Sequence, residues 1–269
     1  MGTLSRNARS FNALNKALGL GNVFRVLKFD FGVEDNAAIS FEKVLVLSPH
    51  PDDEAFGMGG TVKKMTVAGK HVAVAFLTDG SRGIPERNAQ GTIIENIKPD
   101  KKLIKARKDE GLRSCEILGV QQSIFWGNRD SKLAASISAI KALEDLIRQL
   151  KPGIIFVPSF LDPHSDHRAA NEILINAAVG LSSVERNFEI WSYEIWTPIF
   201  ANRVVDISLY IKTKEEAIKV YASQLESRRY DKAFLGLSQY RAEIRNIHGY
   251  AEGFFASSFK IYKELYEKS

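Results

Sequence analysis

A histidine and three consecutive acidic residues stand together in the stretch LSPHPDDEAFGMGG, residues 47–60. This stretch follows the apolar run Val44–Leu47, which has the composition of a buried strand. His50 and Asp53 are three residues apart, so one turn of the chain can direct both side chains at the same point. Imidazole and carboxylate groups that converge in this way are ligands for a divalent metal ion.

A second segment of this kind, LDPHSDHRAA, occupies residues 161–170 and follows another apolar run, Ile154–Pro158. The chain has only five histidines, and three of them lie in these two segments. Two imidazoles and one carboxylate with an open fourth position form a common catalytic zinc shell. We therefore predict a divalent metal ion held by His50, Asp53 and His167.

The acidic and imidazole groups next to these ligands indicate hydrolytic chemistry. A metal ion in such a shell lowers the pKa of a bound water toward about 7. Asp52 lies beside the ligands in the sequence and is placed to accept the proton of that water. His164 is expected to face the other side of the site, with Asp166 orienting it or keeping it protonated.

Short apolar stretches alternate with amphipathic ones along most of the chain. The pattern predicts strands at Lys43–Leu47, His71–Leu77, Ser123–Trp126, Ile154–Pro158, Phe188–Ile195 and Val204–Ile207, and helices at Glu54–Ala68, Lys101–Leu118, Ser136–Leu150, His167–Val179 and Lys214–Leu225. Such alternation predicts an α/β fold, a mostly parallel sheet with helices on both faces. Ligands bind beyond the carboxyl ends of the strands in these sheets, where both histidine segments fall. The aperiodic segment Thr78–Asp100 is expected to be a mobile loop over the site.

The run Gly57-Met58-Gly59-Gly60 has a superficial likeness to a dinucleotide-binding loop. The G-x-G-x-x-G fingerprint requires glycine at position 62, where the chain has Val62. These glycines are instead predicted to let a helix pack closely against the sheet. Cys115 falls on an apolar part of a predicted helix and is assigned to the core.

Composition excludes several classes of protein. The chain has 269 residues, a net charge of +5 and one cysteine, which rules out an intrachain disulfide framework and a cysteine-rich zinc site. This cysteine usage fits a reducing compartment, and we predict a cytoplasmic protein. No apolar run has the length of a membrane helix. The cluster of basic residues at 98–108 contains no aromatic residue, so no nucleic-acid partner is expected.

Residues 1–42 are set apart because no acidic residue precedes Asp30, whereas five basic residues do. They are predicted to form an arm or helix of unknown role, and residues 43–269 the main domain. A basic interfacial helix, with peripheral membrane contact, and a transit-like segment stay as alternatives. A secretory signal is excluded because a compact apolar region is missing.

The two histidine segments together resemble those of the PIG-L/LmbE-like family of metal-dependent N-deacetylases. Supporting segments are LTDGSRG at 77–83, ARKDEGLRSCEILGV at 106–120, FWGNRDSKL at 125–133, WSYEIWTP at 191–198, VVDIS at 204–208 and KEEAIKVYASQ at 214–224. The resemblance runs from about Lys43 to Leu225 and does not cover the two ends of the chain.

The resemblance implies a Rossmann-like three-layer α/β fold and hydrolysis of an N-acetyl group, mostly from N-acetylglucosamine joined to another group. It implies zinc as the cofactor, although Fe²⁺ and Co²⁺ also fit such a shell. Carried onto this sequence, it makes the metal ligands His50, Asp53 and His167, the general base Asp52, and the oxyanion-stabilising group His164, backed by Asp166.

Two further residues, Arg107 and Asp130, fall where members of the family contact sugar hydroxyls or the aglycone. An exposed helix charge is the alternative for Arg107. The expected partner is therefore a small-molecule amino-sugar conjugate, while the aglycone and the oligomeric state cannot be read from the sequence.

Three alternatives account for part of the pattern. An Asp-Asp-Glu run alone is typical of a solvated helix N-terminus, where carboxylates favour the helix dipole. Two histidines and a carboxylate also form the facial triad of Fe(II) oxygenases, although that motif more often lies on a strand of a β-barrel. A metal-bearing but inactive carbohydrate-binding protein would keep the same ligands, and turnover on an N-acetyl sugar separates it from an enzyme.

Overall fold

The computed structural model describes residues 41–82 and 100–269. Nearly all of the predicted N-terminal arm, residues 1–42, lies outside the described residues. So does most of the loop predicted at Thr78–Asp100. The domain boundary and the loop therefore stay predictions.

Seven strands and eight α-helices are found in the described ranges. The strands are β1 (Lys43–Ser48), β2 (His71–Thr78), β3 (Gln122–Asn128), β4 (Ile154–Pro158), β5 (Glu189–Tyr193), β6 (Arg203–Asp206) and β7 (Ala251–Ser258). The helices are α1 (Asp53–Val67), α2 (Lys101–Leu118), α3 (Ile137–Leu150), α4 (Ser165–Gly180), α5 (Ile211–Val220), α6 (Ala222–Leu225), α7 (Tyr230–Glu243) and α8 (Phe259–Tyr266).

The strands form one sheet in the order β3-β2-β1-β4-β5-β7-β6. The first five strands of that order are parallel, and β7 runs antiparallel to both of its neighbours. At the centre, Val44 of β1 is in register with Val72 of β2 and Ile154 of β4. The predicted α/β fold with a mostly parallel sheet is confirmed.

Strand β1 shows why its sequence is apolar throughout. Val44 and Val46 belong to the core cluster on the face covered by α1, α2, α5 and α7. Leu45 and Leu47 belong to the cluster on the opposite face, covered by α3, α4 and α8. A strand buried on both faces needs an apolar residue at every position, because alternate side chains point to opposite faces.

The C-terminal part of the chain differs most from the sequence-based prediction. The helix predicted at Lys214–Leu225 begins earlier, at Ile211, and is interrupted at Tyr221. Strand β7 and helices α7 and α8 were not predicted at all. The β7 sequence, AEGFFASS, mixes small, polar and charged residues and has no long apolar run. Its place inside the sheet depends on contacts with β5 and β6.

Strand order creates a crevice at one edge of the sheet. The chain passes from β1 to its neighbour β2 on one side, while β4 lies on the other side of β1. The loops that follow β1 and β4 therefore leave the sheet side by side. Such a point of reversal is where open parallel sheets bind ligands. Among the described helices, none is long and apolar enough to cross a membrane.

Candidate metal centre

The turn after β1 brings His50 and Asp53 together. The backbone N–H of His50 donates to Asp53 Oδ2 over 2.8 Å, and the N–H of Asp53 donates to the His50 carbonyl over 3.3 Å. Asp53 is the first residue of α1, so its carboxylate also lies at a helix N-terminus. The predicted turn is confirmed as the element that directs both side chains to one place.

Asp52, between them, has a left-handed backbone conformation, with φ at 143°. A non-glycine residue with this conformation is strained and persists only where its surroundings hold it. The backbone N–H of Asp52 donates to the buried Glu54 over 3.2 Å. On the other side, the Arg107 guanidinium donates to the carbonyl of Pro51. These buried contacts hold the strained turn in position at the candidate site.

The second histidine segment forms the start of α4. His164 is the N-cap residue, and its Nδ1 accepts the backbone N–H of Asp166 over 3.2 Å. An acceptor at this position satisfies one of the free N–H groups of the first helical turn. His167 lies within that first turn and is fully buried. The helix start thus presents both imidazoles at the crevice.

The three predicted metal ligands lie within reach of one point. His50 Nδ1 is 3.3 Å from Asp53 Oδ2 and 3.3 Å from His167 Nε2. His167 Nε2 is 3.4 Å from Asp53 Oδ2. Ligands about 2.0–2.1 Å from a tetrahedral zinc ion are separated from each other by about 3.4 Å. The spacing of the three donor atoms therefore fits such an ion.

Two other groups of possible ligands overlap this trio. One comprises His50, His164 and His167, and the other His50, Asp130 and Asp166, each with ligand atoms within 4.8 Å of one another. His50 Nε2, the atom on the Asp166 side, is hydrogen-bonded to Asp166 over 3.0 Å. The ligand atoms of His50, Asp53 and His167 are closer together, and their three separations are nearly equal. These three residues are therefore the best candidates for a metal site.

Each histidine of the trio has a buried carboxylate on its far side. Asp166 Oδ2 lies 3.0 Å from His50 Nε2, and Asp162 Oδ2 lies 3.1 Å from His167 Nδ1. Asp166 is itself held by the backbone N–H groups of Ser131 and Leu133. Carboxylates in this position fix the ring orientation of metal-binding histidines and raise their basicity.

The position of Asp166 differs from the expectation that its carboxylate orients His164. Its carboxylate bonds His50, and only its backbone N–H reaches the His164 ring. Because Nδ1 of His164 accepts that bond, the proton of a neutral ring lies on Nε2. Burial and the neighbouring imidazoles of His50 and His167 lower the pKa of His164. A neutral His164 with a donating Nε2–H follows, rather than a protonated one.

The carboxylates create a strongly negative environment around the trio. Burial lowers the pKa of His167, but Asp53 and Asp162 outweigh it and raise the pKa to about 9. Burial likewise opposes the charge on His50, yet Asp130, Asp166 and Asp53 raise its pKa well above the ordinary value. Surroundings that favour positive charge on buried imidazoles also favour a bound cation.

Asp52 has the environment expected of a general base. Burial raises its pKa to about 6, although the nearby charge of Arg107 acts in the opposite direction. Arg107 Nη2 donates to Asp52 Oδ2 over 2.8 Å. The Asp52 side chain is 12% exposed and lines the crevice at the carboxyl ends of the strands, called the cleft below. It is therefore mostly ionised at neutral pH, and its pKa is closer than that of an ordinary aspartate to the value of about 7 expected for a metal-bound water.

The two residues expected to contact the substrate both line the cleft. Arg107 is only 1% exposed, so the alternative of an exposed helix charge is wrong. Its Nε and Nη1 atoms form no hydrogen bond within residues 41–82 and 100–269. Asp130 lies after β3, with Oδ1 3.5 Å from His50 Nε2 and Oδ2 accepting the backbone N–H of Arg82.

Sequence reasoning assigned no role to three residues that the structure places at this site. Asp162 was noted in the second histidine segment, but its contact with His167 was not foreseen. Glu54 is buried beneath Asp52, and Trp196 lies on the rim of the cleft. In the sequence, Asp162 is one of two aspartates next to the histidines, and nothing there distinguishes its role from that of Asp166.

The chain matches known deacetylases. A family model described as PIG-L, GlcNAc-PI de-N-acetylase, matches residues 45–178. Diacetylchitobiose deacetylase of Thermococcus kodakarensis is 32% identical in a 210-residue alignment that covers 73% of this chain and 75% of that protein. A probable N-acetyl-α-D-glucosaminyl L-malate deacetylase 2 of Bacillus cereus is 31% identical in a 147-residue alignment that covers 53% of this chain and 64% of that protein.

A solved structure agrees over nearly the whole chain. N,N′-diacetylchitobiose deacetylase from Pyrococcus horikoshii, complexed with an inhibitor, superposes with a TM-score of 0.71 at 26% identity. The match covers 91% of this chain and 94% of that one.

Fold and site together define an enzyme of the α/β class with a histidine- and carboxylate-lined crevice at the switch point of its sheet. The chain belongs to the PIG-L/LmbE-like family and is a hydrolytic N-deacetylase. The predicted family and enzyme class are confirmed.

Proposed function

We propose that this enzyme removes the N-acetyl group from an N-acetylglucosamine-type sugar in a small conjugate, using a zinc ion held by His50, Asp53 and His167. The observation that carries the proposal is the spacing of 3.3–3.4 Å among the three ligand atoms. The names of the relatives, which act on N-acetylated sugars, support the substrate class. Fe²⁺ and Co²⁺ fit the same ligand set, so metal-loading experiments decide among them.

The bound ion would supply Lewis-acid chemistry, polarising the acetamide carbonyl and lowering the pKa of a water molecule. Asp52 accepts the proton of that water as it attacks the carbonyl carbon. The Nε2–H of His164 donates to the oxygen on which negative charge develops, a form of stabilisation that is often the largest in acyl transfer. Asp52 then returns the proton to the amine as the C–N bond breaks, and acetate leaves.

Arg107 and Asp130 are assigned to substrate binding. Arg107 has guanidinium N–H groups without a hydrogen-bond partner in the described ranges, and it lines the cleft. A sugar hydroxyl is a suitable acceptor for such a donor. Asp130 lies among polar groups on the same side of the cleft and is suited to accept hydrogen bonds from hydroxyl groups.

The test is acetate release from N-acetylglucosamine, N,N′-diacetylchitobiose and N-acetylglucosaminyl malate by enzyme stripped of metal and reloaded with Zn²⁺, Fe²⁺ or Co²⁺. Release that depends on added metal supports the proposal. Undiminished release by the stripped enzyme would contradict the metal assignment. Absence of release from all three sugars by metal-loaded enzyme would contradict the substrate class.

Replacement of the general base separates catalysis from metal binding. Asp52→Asn is expected to lower turnover by about 10²–10⁴-fold, because a proton-transfer group is lost. The zinc content, measured by mass spectrometry, should stay at the wild-type level, whereas His50→Ala should lose the metal. Asp145→Asn, a change at a surface carboxylate that is 59% exposed, is the matched control. Near-normal turnover of Asp52→Asn would exclude Asp52 as the base.

A further inference from the structure

We infer that Trp196 and Tyr230 form an aromatic wall that binds a second pyranose ring, next to the sugar that is deacetylated. The inference rests on the proposed function and narrows it, because it makes the enzyme's preferred substrate a disaccharide or a longer saccharide. The aromatic wall is defined as these two side chains, both of which line the cleft.

Trp196 lies at the rim of the cleft and close to the metal ligands. Its backbone N–H donates to Asp162 Oδ2 over 3.0 Å, and the same oxygen is 3.1 Å from His167 Nδ1. The side chain is 43% exposed. The other two tryptophans of the chain, Trp126 and Trp191, are half-buried and buried. A large aromatic side chain exposed at a cleft, rather than isolated on the surface, indicates a binding surface.

The wall is backed by a continuous row of aromatic rings. The centroids of Trp196 and Tyr230 are 5.7 Å apart, and those of Tyr230 and Phe56 are 5.5 Å apart. Phe56 in turn stacks on Phe234 at 5.0 Å, and both are buried in the core. The exposed end of the row is therefore supported by the hydrophobic core.

A buried ion pair fixes the loop that carries Trp196. Arg241 of α7 donates to Glu194 and to the carbonyl of Ile199, and Glu194 accepts the N–H of Ile199 over 2.8 Å. The Arg241 and Glu194 side chains are 8% and 4% exposed. The loop is therefore held at Glu194 and at Ile199 by Arg241, and at Trp196 by Asp162. A wall positioned before the ligand arrives loses little conformational entropy on binding.

The remaining lining of the cleft favours a sugar over a lipid chain. Asp130, Ser131 and Arg82 contribute polar groups, and the buried Gln224 is a further polar group in the lining. A pyranose ring has apolar C–H groups on its faces and hydroxyls around its edge. It matches a cleft that combines aromatic and polar linings, whereas an acyl chain would leave the polar groups without partners.

The first test compares a disaccharide with a monosaccharide. Trp196→Ala is expected to raise KM for N,N′-diacetylchitobiose by about tenfold, the size of a good aromatic contact, and to leave kcat unchanged. KM and kcat for N-acetylglucosamine should not change. Trp196→Phe should retain most of the disaccharide affinity. Phe200→Ala, which alters a 56% exposed aromatic residue of the same loop that does not line the cleft, is the matched control.

The second test does not depend on turnover. Titration of the zinc-loaded enzyme with chitobiose should change the tryptophan fluorescence with saturation, and the change should be absent in Trp196→Phe because the reporting indole is missing. If no sugar is deacetylated but this signal is present, the proposed function fails and the aromatic wall stands. Three results would overturn the aromatic wall. The first is an unchanged KM for the disaccharide in both Trp196→Ala and Tyr230→Ala, and the second is an equal rise in KM for the disaccharide and the monosaccharide. The third is a fluorescence change in Trp196→Phe equal to that of the wild type.

Discussion

Asp162 contacts two parts of the site at once, the proposed metal ligand His167 and the backbone of Trp196. Its other oxygen accepts the backbone N–H of His164 over 2.9 Å. A single buried carboxylate thus positions the proposed ligand His167, the proposed oxyanion donor His164 and the rim of the cleft. Nothing in its neighbourhood in the sequence singles it out from the acidic residues around it.

Asp162→Asn is expected to weaken zinc binding by about 10–100-fold, because an amide supports the His167 ring less well than a carboxylate does. The dissociation constant is measured by competition with a chromophoric chelator. Asp145→Asn serves again as the control, since that carboxylate lies on the surface of α3. An unchanged dissociation constant would show that Asp162 does not orient the ligand.

Helix α1 owes its shape to a residue distant in sequence. The helix is interrupted at Met58, where φ is −151°. Beyond the interruption, Glu252 of β7 accepts the N–H groups of Gly60 and Thr61 over 3.0 and 2.7 Å. Glu252 also pairs with Lys214 over 2.6 Å, and both side chains are 2% exposed. Glu252 thus satisfies two N–H groups at the start of the second segment of α1, while the first segment begins with Asp53.

Close packing explains the glycines on either side of the interruption. A Cβ atom at Gly57 would lie 2.5 Å from the Tyr193 ring, and one at Gly60 would lie 2.5 Å from Ile207. The prediction that the glycines pack the helix against the sheet is confirmed for Gly57, because Tyr193 belongs to β5, whereas Gly60 packs against Ile207 just after β6.

Glu252→Gln is expected to lower the free energy of unfolding by about 3 kcal/mol or more, because it leaves the Lys214 ammonium buried without a counter-charge. Chemical denaturation provides the measurement. The double variant Glu252→Gln, Lys214→Met should recover part of the loss, since it removes both charges.

The control for the buried pair of Lys214 and Glu252 is a surface ion pair on α5, the helix that carries Lys214. Glu215→Gln removes the partner of Lys219, whose side chain is 58% exposed, and should change stability by no more than about 0.5 kcal/mol. A Glu252→Gln protein as stable as this control would mean that the buried pair does not hold α1.

The whole sheet depends on the end of the chain. Strand β7 lies between β5 and β6, so its removal would leave β6 without a neighbouring strand and β5 paired with β4 alone. Helix α8 adds Tyr262, which is fully buried and bonded to Ser192 of β5 and Asn171 of α4. The family model covers only residues 45–178, yet the fold requires the later residues.

Deletion of residues 249–269 is therefore expected to abolish cooperative thermal unfolding, monitored by circular dichroism. Deletion of residues 267–269 alone removes exposed residues and should leave the unfolding temperature nearly unchanged. Cooperative unfolding of the longer deletion would show that β7 is dispensable.

The sequence by itself determined the local features of this protein. The strand–turn–helix units, the parallel sheet and the convergence of His50 with Asp53 follow from apolar periodicity and a spacing of three residues. The two short histidine segments indicated the family because they resemble its metal-binding segments, in which the ligands tolerate little variation in type and spacing.

Only the tertiary structure decided which charged residues are buried together. His50 and Asp166 form a hydrogen bond although they are 116 positions apart in the sequence. Arg107 and Asp52 are 55 positions apart, and the sequence left open whether Arg107 is an exposed charge on a helix. Trp196 and Tyr230 meet because a loop after β5 packs against α7. Such pairs leave no periodic pattern in a sequence, since their contact depends on how the loops from neighbouring strands are brought side by side.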